Sequence, residues 1–373
     1  MIKNTFVFFK KSVKLKLSDG ISSNDTDVMN FFNFINQNKK LYVCILVSFL
    51  MFSVIGGFHT SEMKVSSQQK TLRLIPSGQA VGMKLKTKGV MVVGVEPKGN
   101  LPAKKSGVKN GDIIVKVNEV SVLNTRHFEE ILKTIGGETV TLTVLRGETE
   151  KSLSLTPVLN KSNQYVCGMW LRDSAAGIGT VTFFTEDGQQ FAALGHPIND
   201  MDTDKTYPVR DGQLEFVEVK GAKLGEKNCP GELVGVLSGI PIGTISSNDN
   251  KGLFGTVTNP DFIKNQAVPV CQKQEIQPGK ATILSTVSQE GTREYEIEIV
   301  RILDAYDNKD FILKVTDEEL LKKTGGIVQG MSGSPVLQNG KIVGAVTHVF
   351  VNDPTRGYGI FIENMLSEAE KIK

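Results

Sequence analysis

The chain has 373 residues, 40% hydrophobic and 22% charged, an ordinary composition for a globular protein with room for two or three domains. Its net charge of +3 is uneven, because residues 1–40 carry seven lysines and three aspartates and the remaining residues sum to −1. The larger part therefore has no basic face, and we expect no nucleic-acid partner. The cysteines lack close pairs, and neither H-E-x-x-H nor a P-loop occurs, so we expect no metal and no cofactor.

Near the N-terminus, Lys39 and Lys40 precede an uncharged apolar run, residues 41–58. Its 18 residues approach the ~20 that cross a bilayer as a helix. The flank after the run, residues 59–62, is not basic, so the positive-inside rule places residues 1–40 in the cytoplasm and the later residues outside. We expect a transmembrane signal-anchor followed by a polar linker over residues 59–70. A cleaved signal peptide is the alternative.

Residues 71–158 are predicted to form a small β-rich domain. The apolar run 89–95 indicates a buried strand, and an Asn-Gly-Asp turn leads into a second strand over residues 113–118. Apolar residues at positions 128, 131, 132 and 135 recur at helical spacing, and Gly136 ends the predicted helix.

Within this block, residues 101–118 resemble bacterial PDZ domains in their small-residue helix, their Gly-Asp-Ile-Ile turn and the strand that ends in Asn118. The resemblance implies a groove that accepts an extended peptide as an added strand beside a helix. It places the carboxylate-binding loop at Val81, Gly82 and Met83, and the helix with His127 at its start forms the other wall. A PDZ fold used only for packing is the alternative.

From residue 159 to the end the chain is rich in short strands punctuated by glycine, and helical periodicity is scarce before residue 363. This pattern indicates a mainly β sandwich or barrel, and about 210 residues suit a pair of packed barrels. The predicted strands cover residues 178–184, 190–194, 213–219, 231–237, 294–302 and 311–315.

Near the C-terminus, residues 330–335 read Gly-Met-Ser-Gly-Ser-Pro and lie between two apolar runs. The turn is similar to the nucleophile turn of chymotrypsin-like serine peptidases, where a Gly-x-Ser-Gly-x-Pro sequence joins two strands. In that alignment Ser332 is the nucleophile, and the backbone N–H groups of Gly330 and Ser332 form the oxyanion hole. A glycine- and serine-rich β-turn without chemistry is the alternative, and a base is needed because a serine hydroxyl is a weak nucleophile.

Four histidines could supply that base: His59, His127, His196 and His348. His196 follows small residues at the end of an apolar run, and Pro197 comes next, so its position looks specified. It precedes Ser332 by 136 residues, an order that suits a peptidase in which each of two barrels donates part of the site. A buried structural histidine is the alternative.

A third group should orient the imidazole, and spacing alone does not choose among the aspartates between His196 and Ser332. The candidates are Asp200, Asp202, Asp204, Asp211, Asp249, Asp261, Asp304, Asp307, Asp310 and Asp317.

The order of anchor, PDZ, Gly-His-Pro and Gly-Met-Ser-Gly-Ser-Pro strongly resembles the stage IV sporulation protein B peptidase family of endospore-forming bacteria. Residues 77–82, 193–198 and 324–335 carry the resemblance. It implies a chymotrypsin-like double β-barrel serine peptidase over residues 159–373, with His196 and Ser332 as catalytic residues. The family's third catalytic residue, an aspartate shortly before the serine, corresponds to Asp317.

The resemblance also implies a biological role. Family members are made in the forespore, cross its inner membrane, cut themselves and signal in the intermembrane space. Their substrate is a regulator of a membrane-embedded metalloprotease, and cutting it allows a sigma-factor precursor to be processed. The PDZ domain restrains self-cleavage and helps to find the target. Two alternatives remain, a membrane-tethered PDZ adaptor with an inactive peptidase domain and an envelope quality-control protease.

Overall fold

Strands dominate the computed structural model, which describes residues 72–97, 101–303 and 308–369. The predicted cytoplasmic segment, anchor and linker, residues 1–70, lie outside the described residues. Among those that are described, no helix has the length and apolarity needed to cross a membrane.

The first elements are β1 (Arg73–Pro76), β2 (Ala80–Val95), α1 (Pro102–Ser106), β3 (Ile113–Val117), β4 (Val120–Ser121), α2 (Thr125–Ile135), β5 (Val140–Arg146) and β6 (Thr149–Leu155). The middle elements are β7 (Val158–Leu159), β8 (Tyr165–Val166), β9 (Met169–Thr185), β10 (Gln190–Ala193), β11 (Val209–Lys223), β12 (Glu232–Asp249), β13 (Gly252–Val257) and β14 (Val268–Pro269). The last are β15 (Gly279–Thr286), β16 (Thr292–Ile302), β17 (Phe311–Val315), α3 (Glu318–Thr324), β18 (Pro335–Gln338), β19 (Lys341–Phe350), β20 (Asp353–Phe361) and α4 (Ile362–Ala369).

Six antiparallel strands form a ring that we call the N-terminal barrel. The pairing runs β9–β10–β13–β12–β11–β2, and β2 pairs back onto β9. Its interior is apolar and includes Met83, Phe191, Leu214 and Leu253, all buried. The barrel is held together by the burial of these side chains and by a ladder without free edges.

The C-terminal barrel is a second ring of six antiparallel strands, β15–β16–β17–β20–β19–β18. The alternation predicted along β16 is confirmed, since Tyr295, Ile297 and Ile299 are buried while the intervening glutamates are exposed. Helix α3 lies between β17 and β18, and α4 follows the last strand.

The PDZ fold is built on the second half of β2, which pairs with β3, and β3 in turn pairs with β5. Helix α2 matches the prediction, burying Phe128, Ile131 and Leu132 against this sheet. The first residues of β9 also pair with the second half of β2. Strands β2 and β9 therefore run through both the PDZ fold and the N-terminal barrel, so the structure shows no clean boundary at residue 158.

The predicted carboxylate-binding loop is wrong. Val81, Gly82 and Met83 lie in the first half of β2, buried inside the N-terminal barrel, with β9 paired on one side and β11 on the other. Ladders on both sides use the backbone N–H groups, so none is left for a terminal carboxylate. Close packing explains the glycine, because a Cβ at Gly82 would stand 2.1 Å from a methyl carbon of Leu237.

Candidate active site

The turn that carries Ser332 packs directly on the N-terminal barrel. Gly330 and Gly333 have φ values of +97° and +96°, which favour glycine. A Cβ at Gly333 would stand 2.0 Å from the carbonyl oxygen of Thr180 in β9. The Gly333 N–H donates to the carbonyl of Val346 (2.8 Å), which ties the turn to β19 as well. Glycine at both positions is therefore needed for this backbone path and this close approach.

The N–H groups of Gly330 and Ser332 donate no hydrogen bond to any described residue. By contrast, the Met331 and Ser334 N–H groups in the same turn donate to the carbonyls of Val328 (3.1 Å) and Met331 (3.0 Å). Two unpaired backbone donors on either side of one residue are what an oxyanion hole requires.

The Ser332 hydroxyl donates to the backbone carbonyl of Thr347 at 2.7 Å. Thr347 lies in β19, beside His348. In this structure the hydroxyl proton is directed at a carbonyl, and a rotation of the serine side chain is needed to present it to a base.

His196 follows β10 on a segment that is pressed against the C-terminal barrel. Leu194 and Gly195 have φ values of +71° and +74°, which turn the chain sharply at the strand end. A Cβ at Gly195 would stand 2.9 Å from the Thr347 side chain, so this segment and the Ser332 hydroxyl meet at the same residue. Two motifs 136 residues apart in sequence are thus brought to one junction between the barrels.

A backbone carbonyl selects the tautomer of His196. Its Nδ1 lies 2.8 Å from the Pro197 carbonyl oxygen, which can only accept, so Nδ1 carries the hydrogen and the neutral ring has its lone pair on Nε2. Burial lowers the pKa of His196 below its ordinary value, and the bond to Pro197 offsets part of that effect. At neutral pH the imidazole is therefore uncharged and able to accept a proton at Nε2.

His348 stands beside His196, with the ring centroids 5.0 Å apart. Desolvation lowers the pKa of His348 to about 4, and the positive charges of His196 and Lys309 act in the same direction. Neither histidine is then charged near pH 7, so the pair does not repel.

Asp317, predicted to orient His196, makes no hydrogen bond to it in the described residues. Asp317 is the N-cap of α3, where its Oδ1 accepts the N–H of Leu320 (2.8 Å) and its Oδ2 accepts the N–H of Glu296 (3.2 Å). Both carboxylate oxygens therefore serve backbone donors of the C-terminal barrel. A capping aspartate before a helix is indistinguishable in sequence from a catalytic aspartate before a serine turn.

The other candidate aspartates have structural partners or stand apart, and no described carboxylate hydrogen-bonds to His196. Asp310 accepts the N–H of Phe361 and the amide of Asn364, each at 2.7 Å. Asp249 is half-buried at the turn from β12 to β13, and desolvation raises its pKa. Asp304 and Asp307 lie outside the described residues.

Asp200 anchors the loop that follows His196. It is 1% exposed, accepts the Tyr207 hydroxyl at 2.7 Å and forms an ion pair with Arg172 of β9. The neighbouring Asp173 accepts both the N–H (2.8 Å) and the hydroxyl (3.0 Å) of Thr125, the first residue of the PDZ helix α2. Adjacent residues of one strand thus connect the histidine loop and the PDZ helix.

The chemistry that this arrangement supports is acyl transfer. It combines at one junction a serine hydroxyl, a neutral imidazole and two N–H groups, and neither the imidazole Nε2 nor these N–H groups hydrogen-bond to a described residue. The described residues hold no cluster of three or more side chains that could bind a metal ion. Sequence reasoning did not predict the contacts of the Pro197 and Thr347 carbonyls, because backbone carbonyls carry no sequence signal. It also missed Thr180, which lies inside an ordinary strand.

The family comparison agrees with this geometry. The profile of the SpoIVB peptidase S55 family matches residues 163–366, more than half of the chain, and a PDZ domain profile matches residues 79–156. The chain belongs to the SpoIVB peptidase S55 family. It is a serine peptidase with a PDZ domain, as the sequence motifs predicted. A comparison with curated proteins gave no match.

Several solved structures of other proteins are similar to parts of this S55 peptidase. The PDZ domain of an SdrC-like protein from Listeria monocytogenes is 21% identical over 22% of this chain and 87% of its own, with a TM-score of 0.21. The active form of the Rv3671c protease from M. tuberculosis is 13% identical over 53% and 74%, with a TM-score of 0.35. The HtrA-type protease AlgW with a decapeptide is 9% identical over 80% and 65%, with a TM-score of 0.33.

Proposed function

We propose that this S55 peptidase is a membrane-anchored, self-cleaving serine endopeptidase with a chymotrypsin-like double barrel. Its nucleophile is Ser332, its base is His196, and the N–H groups of Gly330 and Ser332 stabilise the oxyanion. The observation that carries the proposal is the pair of N–H groups around Ser332 that have no partner among the described residues, in a turn that meets the His196 segment at Thr347.

In the proposed mechanism, the Ser332 hydroxyl turns from the Thr347 carbonyl to the Nε2 of His196. His196 accepts the proton while the serine oxygen attacks a peptide carbonyl, and the developing negative charge is stabilised by the two N–H groups. The imidazolium then donates its proton to the leaving amine, and a water molecule hydrolyses the acyl-enzyme. The Pro197 carbonyl holds Nδ1 in the role first predicted for Asp317.

The proposed setting is the space between two membranes during sporulation. There the enzyme, anchored through residues 41–58 with residues 1–40 in the forespore cytoplasm, cuts a regulator of a membrane-embedded metalloprotease. Self-cleavage would release the catalytic part from its anchor. Membership of the S55 family and the apolar run in the sequence support this setting.

The test uses the purified full chain in detergent micelles, as wild type and Ser332→Ala. We expect discrete fragments from the wild type and none from the variant, because removing the nucleophile lowers the rate by about 10⁶-fold. Mass spectrometry of the fragment ends would identify the cleaved bonds.

The same samples distinguish the alternatives. A wild-type chain that neither cuts itself nor reacts at Ser332 with a fluorophosphonate would contradict the peptidase mechanism and favour a PDZ adaptor. Degradation of added unfolded proteins into many fragments would favour a quality-control protease instead of a signalling one.

A further inference from the structure

Thr180 lies where the N-terminal barrel meets the Ser332 turn. It is a fully buried residue of β9. Its N–H donates to the carbonyl of Ser332 (3.0 Å), and its hydroxyl donates to the carbonyl of Gly330 (2.7 Å). Its own carbonyl accepts the N–H of Leu194 (3.2 Å), two residues before His196. One residue thus contacts both the nucleophile turn and the segment that leads to the base.

The hydroxyl of Thr180 holds the peptide plane between the two oxyanion donors. The Gly330 N–H belongs to the peptide before Gly330, and the Ser332 N–H belongs to the peptide after Met331. The Gly330–Met331 peptide lies between them, so its rotation would move both donors. Gly330 has no Cβ and a φ of +97°, so sterics alone restrain this rotation weakly.

The other two peptide planes have their own restraints. The Gln329 carbonyl accepts the N–H of Leu233 (2.8 Å), and the Met331 carbonyl accepts the N–H of Ser334 (3.0 Å). For the central plane, the hydroxyl of Thr180 is the donor to the Gly330 carbonyl among the described residues. The Met331 N–H of the same plane donates to the Val328 carbonyl (3.1 Å). Removing the Thr180 hydroxyl would leave the Gly330 carbonyl without its hydrogen bond and the plane held by the Met331 N–H alone.

We propose that Thr180 is a positioning residue whose hydroxyl keeps the N–H groups of Gly330 and Ser332 aimed at the oxyanion. This inference rests on the proposed roles of Ser332 and those N–H groups. It makes the oxyanion hole a product of both barrels, because the donors belong to one barrel and their restraint to the other.

Thr182 provides a matched control. It lies two residues further along β9 and is also fully buried. Its hydroxyl makes no hydrogen bond to the described residues. Thr180→Val and Thr182→Val therefore make the same chemical change at the same burial, and only the first removes a bond to the turn. Thr180→Ser keeps the hydroxyl and removes a methyl group.

The experiment measures the rate at which a fluorophosphonate labels Ser332 in the full chain in detergent micelles, over a range of pH. The phosphoryl oxygen of this probe takes the place of the oxyanion. Loss of one whole donor costs about 10²–10³-fold, so we expect Thr180→Val to slow labelling by about 10–100-fold. Thr180→Ser and Thr182→Val should stay within about threefold of the wild type. The pH midpoint should not move in Thr180→Val, because His196 is unchanged, whereas the plateau should fall.

Labelling of Thr180→Val at the wild-type rate would overturn the proposal, as would an equal slowing in Thr182→Val, which would indicate general packing. If Thr180→Val does not fold, Thr180→Cys replaces it, since a thiol is a weaker donor, and a wild-type rate there would also overturn the proposal. A wild-type chain without label at Ser332 would instead contradict the nucleophile itself, and the positioning role with it.

Discussion

The N-terminal barrel shares β2 and β9 with the PDZ fold, whereas the C-terminal barrel closes entirely within residues 279–361. His196 depends on the first barrel, through the turn after β10 and the Arg172–Asp200 ion pair. Ser332 depends on the second, through the bond from Gly333 to Val346. The comparison teaches that the base is held by elements that reach into the PDZ fold, while the nucleophile turn is held from that side by Thr180 of β9 and by Leu233 of β12.

The largest effect should come from the base itself. His196→Ala removes the proton acceptor, and we expect cleavage to fall by about 10⁴–10⁶-fold. His348→Gln is the matched control, since the ring centroids of His348 and His196 lie only 5.0 Å apart and the mechanism assigns no proton transfer to His348. Self-cleavage of the full chain, followed by gel and mass spectrometry, would measure both. A large loss in His348→Gln with activity retained in His196→Ala would exchange the two roles.

The pH dependence should separate the same two imidazoles. A base must be unprotonated, so fluorophosphonate labelling should fall as the pH drops through the pKa of His196, which lies below the ordinary value near 6.5. His348 has a pKa of about 4. We expect the midpoint below 6.5 to persist in His348→Gln. Disappearance of the acid limb in that variant would assign the midpoint to His348.

Breaking the link between β9 and the histidine loop should lower both stability and activity. Asp200→Asn leaves Arg172 without its buried partner. We expect about 2–3 kcal/mol off the free energy of unfolding, less than for a fully buried pair because the Arg172 side chain is 37% exposed. Asp202 is the other partner of Arg172, and its side chain is 54% exposed. Asp202→Asn should therefore cost under about 1 kcal/mol of unfolding free energy.

Urea unfolding followed by the fluorescence of Trp170, the only tryptophan, would measure both variants. Burial alone would raise the pKa of Asp200, but hydrogen bonds from Tyr207, Arg172 and Thr203 lower it below its ordinary value. Its stabilisation is therefore present above pH 3.9, the unfolded pKa, and is lost as the pH falls through the lower folded pKa. Equal losses in Asp200→Asn and Asp202→Asn would show that burial of this pair does not matter.

The smallest effect should come from Asp317. Asparagine keeps the helix cap, but its NH2 group would face the Glu296 N–H that donates to Oδ2, so Asp317→Asn should cost about 0.5–1 kcal/mol of unfolding free energy. Asp317→Ala loses both bonds and should cost about 1–2 kcal/mol. Cleavage by Asp317→Asn should stay within a few-fold of the wild type. A drop of about 10⁴-fold, the effect expected for a triad acid, would restore the original assignment of Asp317.

The sequence alone determined the parts whose signal is local. Strand alternation along β16, the apolar face of α2, the PDZ resemblance and the Gly-His-Pro and Gly-Met-Ser-Gly-Ser-Pro motifs all follow from neighbouring residues, and the fold elements among them are confirmed. The residues that carry the proposed chemistry, His196 and Ser332, could be named for the same reason.

Only the tertiary structure decided which distant groups meet. Val81 to Met83 have two strands paired with them, and the oxygens of Asp317 accept two backbone N–H groups; the local sequence predicted neither set of contacts. Thr180 carries no motif, because its role arises from a contact across 150 residues of chain. Hydrogen bonds between the barrels form only when both sheets close, and the closure cannot be predicted from neighbouring residues because it joins strands far apart in sequence.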